Sequence, residues 1–250
     1  MYKRQALERP YKLCDYKPAY GYVLQSYLKK YDFWGYCDID VIFGNIRNFV
    51  TDSVLQNYDK VYQNGHLTLY KNLPEINRVF MNRRVGMDYK YVFQTNFISV
   101  FDEYDGIQKK FDLLNLKTYK ANDFADISIK SAKFLRVNIA DTNYKKLDNQ
   151  IYIWNKGKLI EYGYIGDNLM AQEVAYIHFQ KRKLKNTTKL NNLNEFIITK
   201  DGFKECTVRH ISKPYIDANN SAGTIEQVLF RVIYLKYIWV RRIKKWLFRR

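Results

Sequence analysis

The chain offers little to crosslink it and no long apolar run. Of its 250 residues only three are cysteine. Cys14, Cys37 and Cys206 stand far apart, with no CxxC and no Cys/His metal spacing, which excludes a disulfide framework and fits a reducing compartment. No run of about 18 apolar residues occurs, so no transmembrane helix is expected. Residues 1–10 are charged and polar, so no secretory signal is expected there. There is no internal repeat. Acids are scarce at one end: residues 231–250 hold eight basic residues and none acidic.

What is present argues for a packed core. Hydrophobic residues make up 47% and aromatics 17%, with 23 Tyr, 15 Phe and 4 Trp, a composition that a disordered chain does not carry. The length fits one domain with additions, or two small ones. Lys and Arg number 42 against 25 Asp and Glu, a formal charge of +17. Eight of those charges belong to residues 231–250, which leaves +9 for the rest. That excess suits anionic partners such as nucleotides or acidic headgroups and does not single out nucleic acid.

Residues 20–30 (YGYVLQSYLKK) predict a helix with Val23, Leu24, Tyr27 and Leu28 on its apolar face. Residues 33–43 (FWGYCDIDVIF) read as a buried strand and its edge, closed by Gly44. Helix followed closely by strand is the pattern of α/β layering. Residues 113–139 carry no clear period. A hairpin is expected over 151–164 around Asn155-Lys156-Gly157-Lys158, a strand over 174–179 (VAYIHF), and a loop over 185–194. Residues 97–101 (FISVF) read as a further strand.

Residues 224–250 predict an amphipathic helix. Ile225, Leu229, Val232, Ile233, Trp239, Val240, Ile243, Trp246 and Leu247 share one face, and Arg231, Arg241, Arg242, Lys245 and Arg249 the other. Lys236 falls among the apolar positions. Such a helix either lies in an anionic membrane surface or docks on the body with its basic face in water, and the absence of acids favours the membrane.

The sharpest local feature is Cys37-Asp38-Ile39-Asp40 inside an apolar run. On a strand, Asp38 and Asp40 would project to the same side. Two ionised carboxylates that close repel, and burying both is costly without a cation. A hard divalent ion, Mn²⁺ or Mg²⁺, resolves the conflict through oxygen ligands. The plain alternative is a strand end where both face water.

The residues around this pair carry a resemblance. Lys12-Leu13-Cys14-Asp15-Tyr16-Lys17-Pro18 before a helix, then Phe33-Trp34-Gly35-Tyr36-Cys37-Asp38-Ile39-Asp40, resembles GT-A glycosyltransferases. It is most similar to a bacterial family of sugar transferases found with polysaccharide and capsule biosynthesis. Gly65-His66-Leu67-Thr68-Leu69-Tyr70, Phe101-Asp102-Glu103 and His178-Phe179-Gln180-Lys181-Arg182 follow in the family's order. The similarity runs from about residue 7 to 183.

The resemblance implies an α/β, GT-A (Rossmann-like) nucleotide-sugar transferase core, with a mixed sheet flanked by helices and a C-terminal amphipathic helix. It implies Asp40 as direct metal ligand, Asp38 at the metal shell and donor ribose, and His178 as the late metal ligand. It implies Asp15 and Lys17 at the nucleotide sugar. Lys181 and Arg182 would meet the diphosphate, the first as a point charge and the second in a bidentate way. Asp102 and Glu103 sit where an acceptor base is expected, and His66 where acceptor or donor sugar is. Each has a simpler alternative: a structural His178, a solvated turn over 181–183, and Asp102 and Glu103 capping the next helix.

The implied organisation is a core over residues 1–185, a linking region over 186–223 and the basic helix over 224–250. Only 37 residues precede Asp38, so the opening strand and part of the base pocket of the family are expected to be missing. The implied activity is metal-dependent transfer of a sugar from a UDP-linked donor to a glycan or lipid-linked acceptor, at the inner face of the membrane. Two further classes compete. A basic nucleic-acid-binding protein without catalysis lacks any RNP, zinc or helix-turn-helix signature, and a two-carboxylate hydrolase would have to recruit Asp102 or Glu103.

Overall fold

A computed structural model describes residues 7, 9–137, 146–180, 182, 184–186 and 194–247. In chain order the strands are β1 (Phe33–Cys37), β2 (Val41–Phe43), β3 (Lys60–Val61), β4 (Leu67–Lys71), β5 (Thr118–Tyr119), β6 (Ala125–Asp126), β7 (Asn149–Asn155), β8 (Lys158–Ile165), β9 (Asn168–Glu173), β10 (Tyr176–His178), β11 (Lys185–Asn186), β12 (Glu195–Thr199) and β13 (Gly202–Glu205). The helices are α1 (Tyr20–Val23), α2 (Gln25–Leu28), α3 (Asp52–Asn57), α4 (Pro74–Asn77), α5 (Tyr89–Gln94), α6 (Lys109–Leu113), α7 (Lys213–Asn219) and α8 (Thr224–Leu247). A 3-10 stretch, Pro10–Ala19, leads into α1. The fold is mixed α/β. Two compact units divide it, one within Met1–Ile39 and Val50–Ala121, the other within Asp40–Phe49 and Asn122–Arg250.

The first unit is built on a 4-stranded sheet in the order β1-β4-β3-β5. Its pairs are antiparallel except β3 with β5. Alternation along β1 turns Trp34 and Tyr36 inward. Trp34 stacks on Tyr70 with ring centroids 4.6 Å apart, and its indole N–H donates to Asn77 Oδ1 at 2.6 Å. Phe101, Ile107 and Phe111 complete this aromatic core.

The expected helix over 20–30 forms as two short pieces broken at Leu24, and its apolar face is not the predicted one. Val23, Leu24 and Tyr27 are exposed, while Tyr20, Gly21 and Leu28 face the body. The reason is Gly21: a Cβ there would lie 2.2 Å from Trp34 Cε2, so the helix approaches the indole closely through the one position without a side chain.

The second unit holds two mixed sheets. One is 3-stranded in the order β2-β10-β6, with β10 antiparallel to β2 and parallel to β6. A central strand with neighbours on both edges explains the unbroken apolar run Val174, Ala175, Tyr176 and Ile177, all buried. The other is 6-stranded, β11-β13-β12-β7-β8-β9. The expected hairpin is β7–β8. Its two-residue turn, Lys156-Gly157, takes φ of 46° and 88°, the doubly positive pattern of a type I′ turn. Within this sheet Glu161 is buried and accepts from Tyr152 Oη at 2.7 Å, Gln150 Nε2 at 2.8 Å and Arg136 Nη1 at 3.2 Å.

Three expectations are corrected. Residues 33–43 are not one strand: β1 ends at Cys37, β2 begins at Val41 in another sheet, and residues 38–40 join them. Asp38 and Asp40 therefore share no strand face, since two ionisable carboxylates one residue apart suit a junction better than a buried strand. Residues 97–101 form no strand either; Ser99 and Phe101 donate their N–H groups to the Asp15 carboxylate at 2.9 and 2.8 Å, so a side chain replaces the neighbouring strand. Of the expected loop over 185–194, Lys185–Asn186 pairs with β13, and residues 187–193 lie outside the described residues.

The C-terminal helix forms as expected, over Thr224–Leu247. Among the described residues no helix is long and apolar enough to cross a membrane.

Candidate active site

Each unit gathers a set of acidic side chains. In the first, the β1–β4 ladder ends at Cys37 opposite Leu67, and one more bond follows, from Asp38 N–H to the His66 carbonyl at 3.0 Å. Asp38 is thereby fixed at the head of the sheet, beside Gly65 and a buried His66. Lys17, from the stretch before α1, reaches the same place. Its ammonium lies 2.5 Å from Asp38 Oδ1, 3.0 Å from Asp102 Oδ2 and 3.0 Å from the Gly65 carbonyl. Burial pulls Lys17 down, but Asp102 and Asp38 outweigh it and hold the ammonium above its ordinary value.

Asp102 and Glu103 come from a tight turn. Ile107 N–H donates to the Phe101 carbonyl at 2.8 Å, and Gly106 passes so close to Phe101 that a Cβ would lie 2.2 Å from its oxygen. Just upstream, Val100 adopts a φ of 56°, an outlier for a β-branched residue and the kind of strain that collects at functional sites. Asp102 is 2% exposed; its Oδ2 meets Lys17, and its Oδ1 has no hydrogen-bond partner among the described residues. Burial raises its carboxyl, Lys17 lowers it and Asp38 raises it again, the net direction being up. Burial, then the neighbouring Asp102, push Glu103 up to about 7. Gly65 is the position that permits this approach, because a Cβ there would lie 2.4 Å from Asp102 Oδ2 and 2.9 Å from Glu103 Oε1. The capping alternative is not realised: the Glu103 side chain makes no cap bond to the turn that follows.

In the second unit the registry of the 3-stranded sheet arranges the groups. His178, at the end of β10, stands opposite Val41 of β2 on one side and Asp126 of β6 on the other. Asp40 precedes Val41, and its carbonyl accepts from Phe179 N–H at 3.0 Å. The imidazole lies between two carboxylates, with Nδ1 2.8 Å from Asp126 Oδ1 and Nε2 3.5 Å from Asp40 Oδ1. Gln180 Nε2 donates to Asp126 Oδ2 at 2.8 Å, and Gln180 holds a φ of 55° to do so. A carboxylate on one ring nitrogen fixes the tautomer and turns the other nitrogen outward as a lone-pair donor, the arrangement typical of a metal-binding histidine.

The residues named from sequence fall in both units. Within the first unit Lys17, Asp38, Asp102, Glu103 and the backbone of Gly65 and His66 come together, and within the second Asp40, Asp126 and His178 do. Asp15 belongs to neither. It is fully buried, holds Lys12 Nζ at 2.6 Å and accepts the two backbone N–H groups already described, so it bolts residues 97–101 in place. Lys12 also donates to the carbonyls of Val92 and Phe97 at 2.6 and 2.7 Å.

Arg182 is turned inward as well. Its guanidinium donates to the carbonyls of Ser128, Ser131 and Lys133 and lies 5.6 Å from the Phe134 ring centroid. Burial lowers it to about 10, which leaves it charged at neutral pH. Lys181 lies outside the described residues. The group that sequence reasoning missed is Asp126. Its signal is an acid inside a short apolar stretch, Phe124-Ala125-Asp126-Ile127, the same kind of interruption that marks Asp38 and Asp40.

Comparison with known proteins adds a family and no activity. No curated protein and no solved structure matches the chain. Residues 2–207 match the family described as Family of unknown function (DUF6625), and the chain belongs to that family.

Proposed function

We propose that the chain is a divalent-metal-dependent glycosyltransferase of GT-A (Rossmann-like) type, moving a sugar from a UDP-linked donor to a glycan or lipid-linked acceptor in cell-surface polysaccharide synthesis. The observation that carries this reading is His178, with Asp126 bound to Nδ1 and the Asp40 carboxylate 3.5 Å from Nε2. The donor set fits the group: a carboxylate oxygen and an oriented imidazole nitrogen suit Mn²⁺ or Mg²⁺. In a protein of formal charge +17, paired carboxylates at strand ends also ask for a cation.

Asp40 and His178 would hold the ion, and Asp126 would orient His178. Asp38, two residues before Asp40, keeps the role of touching the metal shell and the donor ribose. The ion would neutralise charge on the departing diphosphate. Lys17 holds Asp38 and Asp102 in position, and Lys181 contributes charge to the diphosphate. Asp102 Oδ1, buried and without a partner among the described residues, supports a role in accepting a hydrogen bond from a sugar hydroxyl. Glu103, protonated up to about neutral pH, adds a donor beside it. Arg182 and Asp15 are structural in this reading.

The test is a thermal-shift titration with UDP, with and without Mn²⁺, on the chain and on Asp40→Ala. Ligand at about 100 times its dissociation constant stabilises by roughly 2.7 kcal/mol. The shift should require Mn²⁺, vanish in Asp40→Ala and need roughly 10–100-fold more metal in Asp126→Asn. A Mn²⁺-dependent shift that survives Asp40→Ala sinks the assignment.

A further inference from the structure

Helix α8 has two apolar faces, and among the described residues only one of them is docked. Gln227, Phe230, Tyr234 and Ile238 recur at helical spacing and are half-buried. Arg182 lies 5.2 Å from the Phe230 ring centroid, Lys130 6.0 Å from that of Tyr234, and Glu226 pairs with Lys200 at 3.0 Å. These contacts fix the rotation of the helix about its axis. At 3.6 residues per turn they send Ile225, Val228, Leu229, Val232, Trp239 and Ile243 to the opposite side. There each is more than half exposed, Trp239 at 60% and Ile225 at 78%.

A row of large apolar side chains of this length is more than scattered surface hydrophobes, and it marks an interaction surface. Its charge says with what. Arg231, Lys236 and Arg242 are exposed along or beside the row, and no acid follows Glu226 in the sequence. An apolar stripe with an interfacial Trp and a border of cations complements a bilayer surface carrying negative headgroups. A partner protein or a second copy would need acids opposite these cations, and on its own face the helix offers none.

We infer that α8 is a surface anchor: docked on its own unit through Phe230 and Tyr234, it buries its outward face in the headgroup region of an anionic membrane. This goes beyond the transferase reading and stands without it, because it uses none of the site residues. Each basic residue near an anionic surface strengthens binding roughly fivefold.

The experiment is co-sedimentation of the full chain with vesicles of phosphatidylcholine alone and of phosphatidylcholine mixed with phosphatidylglycerol, together with analytical ultracentrifugation of the chain alone. The expected result is binding to the mixed vesicles only, weakened at ~0.5 M salt by screening. Val232→Asp combined with Trp239→Ser should lose at least ~10-fold in binding while circular dichroism and the UDP–Mn²⁺ shift stay unchanged, since both positions point away from the docked face. Arg182→Met, which loosens the docked face, serves as the contrasting variant and should retain vesicle binding. Equal binding to neutral vesicles, or no binding by the folded chain, overturns the inference. So does a concentration-dependent dimer abolished by the same double substitution without any vesicle binding.

Discussion

The raised carboxyl of Glu103 makes a prediction that can be worked through from its surroundings. Its ordinary value is 4.5, and in the fold it stands at about 7, through burial first and Asp102 second. Between those two values the unfolded chain has released a proton that the folded chain keeps. The unfolded state binds fewer protons there, so stability falls as pH rises from about 4.5, and the loss is complete above about 7. At ~1.4 kcal/mol per pH unit this amounts to about 3 kcal/mol. Glu103→Gln keeps the shape and the oxygen that accepts the Gly65 N–H, and it cannot ionise. Urea unfolding of both proteins at pH 4.5 and pH 8 should show the variant gaining about 3 kcal/mol on the parent between the two conditions. For a chain of this size that is roughly 6–12 °C in midpoint temperature. The same stability difference at both pH values would refute the argument, because it would mean that Glu103 titrates normally in the fold.

Two other substitutions test the packing. Gly21→Ala places a methyl 2.2–2.5 Å from three atoms of the Trp34 indole, which is pinned by Tyr70 and Asn77. A loss of about 1–3 kcal/mol with a change in tryptophan fluorescence is expected, and an unaltered midpoint would show that the α1 contact is slack. Arg136→Met removes the cation beside Glu161, both side chains being at most 5% exposed. Leaving that carboxylate buried should cost about 3–5 kcal/mol in denaturant unfolding, and a loss under ~1 kcal/mol would contradict the buried pair.

The parts of the fold legible in the sequence are those fixed by short-range chemistry. The β7–β8 hairpin follows from Lys156-Gly157, because only a glycine-containing pair accepts both positive φ angles easily. The buried β10 follows from an unbroken apolar run, and α8 from a helical period sustained over its length. What could not be read depends on partners distant in sequence. Nothing in residues 20–30 says that Gly21, and not Val23 or Tyr27, faces the core; that is decided by Trp34. Nothing in FISVF says that its ladder partner is the Asp15 carboxylate.

The candidate site divides in the same way. Asp38, Asp40, Asp102, Glu103 and His178 drew attention as acids and a histidine beside apolar runs. Asp126 escaped because its segment has no period and its importance comes only from lying next to His178 across a parallel pair. The inward turn of Arg182 was not legible for a related reason. Its direction is set by carbonyls of residues 128–133, about fifty positions upstream.

The way the chain alternates between its units bears on how it is made. Residues 40–49 leave the first unit before that unit is finished, and the strand they contain, β2, pairs with β10. On a ribosome the first unit can close once residue 121 has emerged. Val41–Phe43 must then wait for Tyr176–His178, a delay on the order of ten seconds at ~5–20 residues per second. During that interval an apolar strand hangs from an already folded body with its backbone unpaired, a state open to proteases and to neighbouring chains, which limited proteolysis of stalled nascent chains would reveal. Asp40 immediately precedes this strand, so the candidate metal centre of Asp40 and His178 is completed only when β10 has emerged.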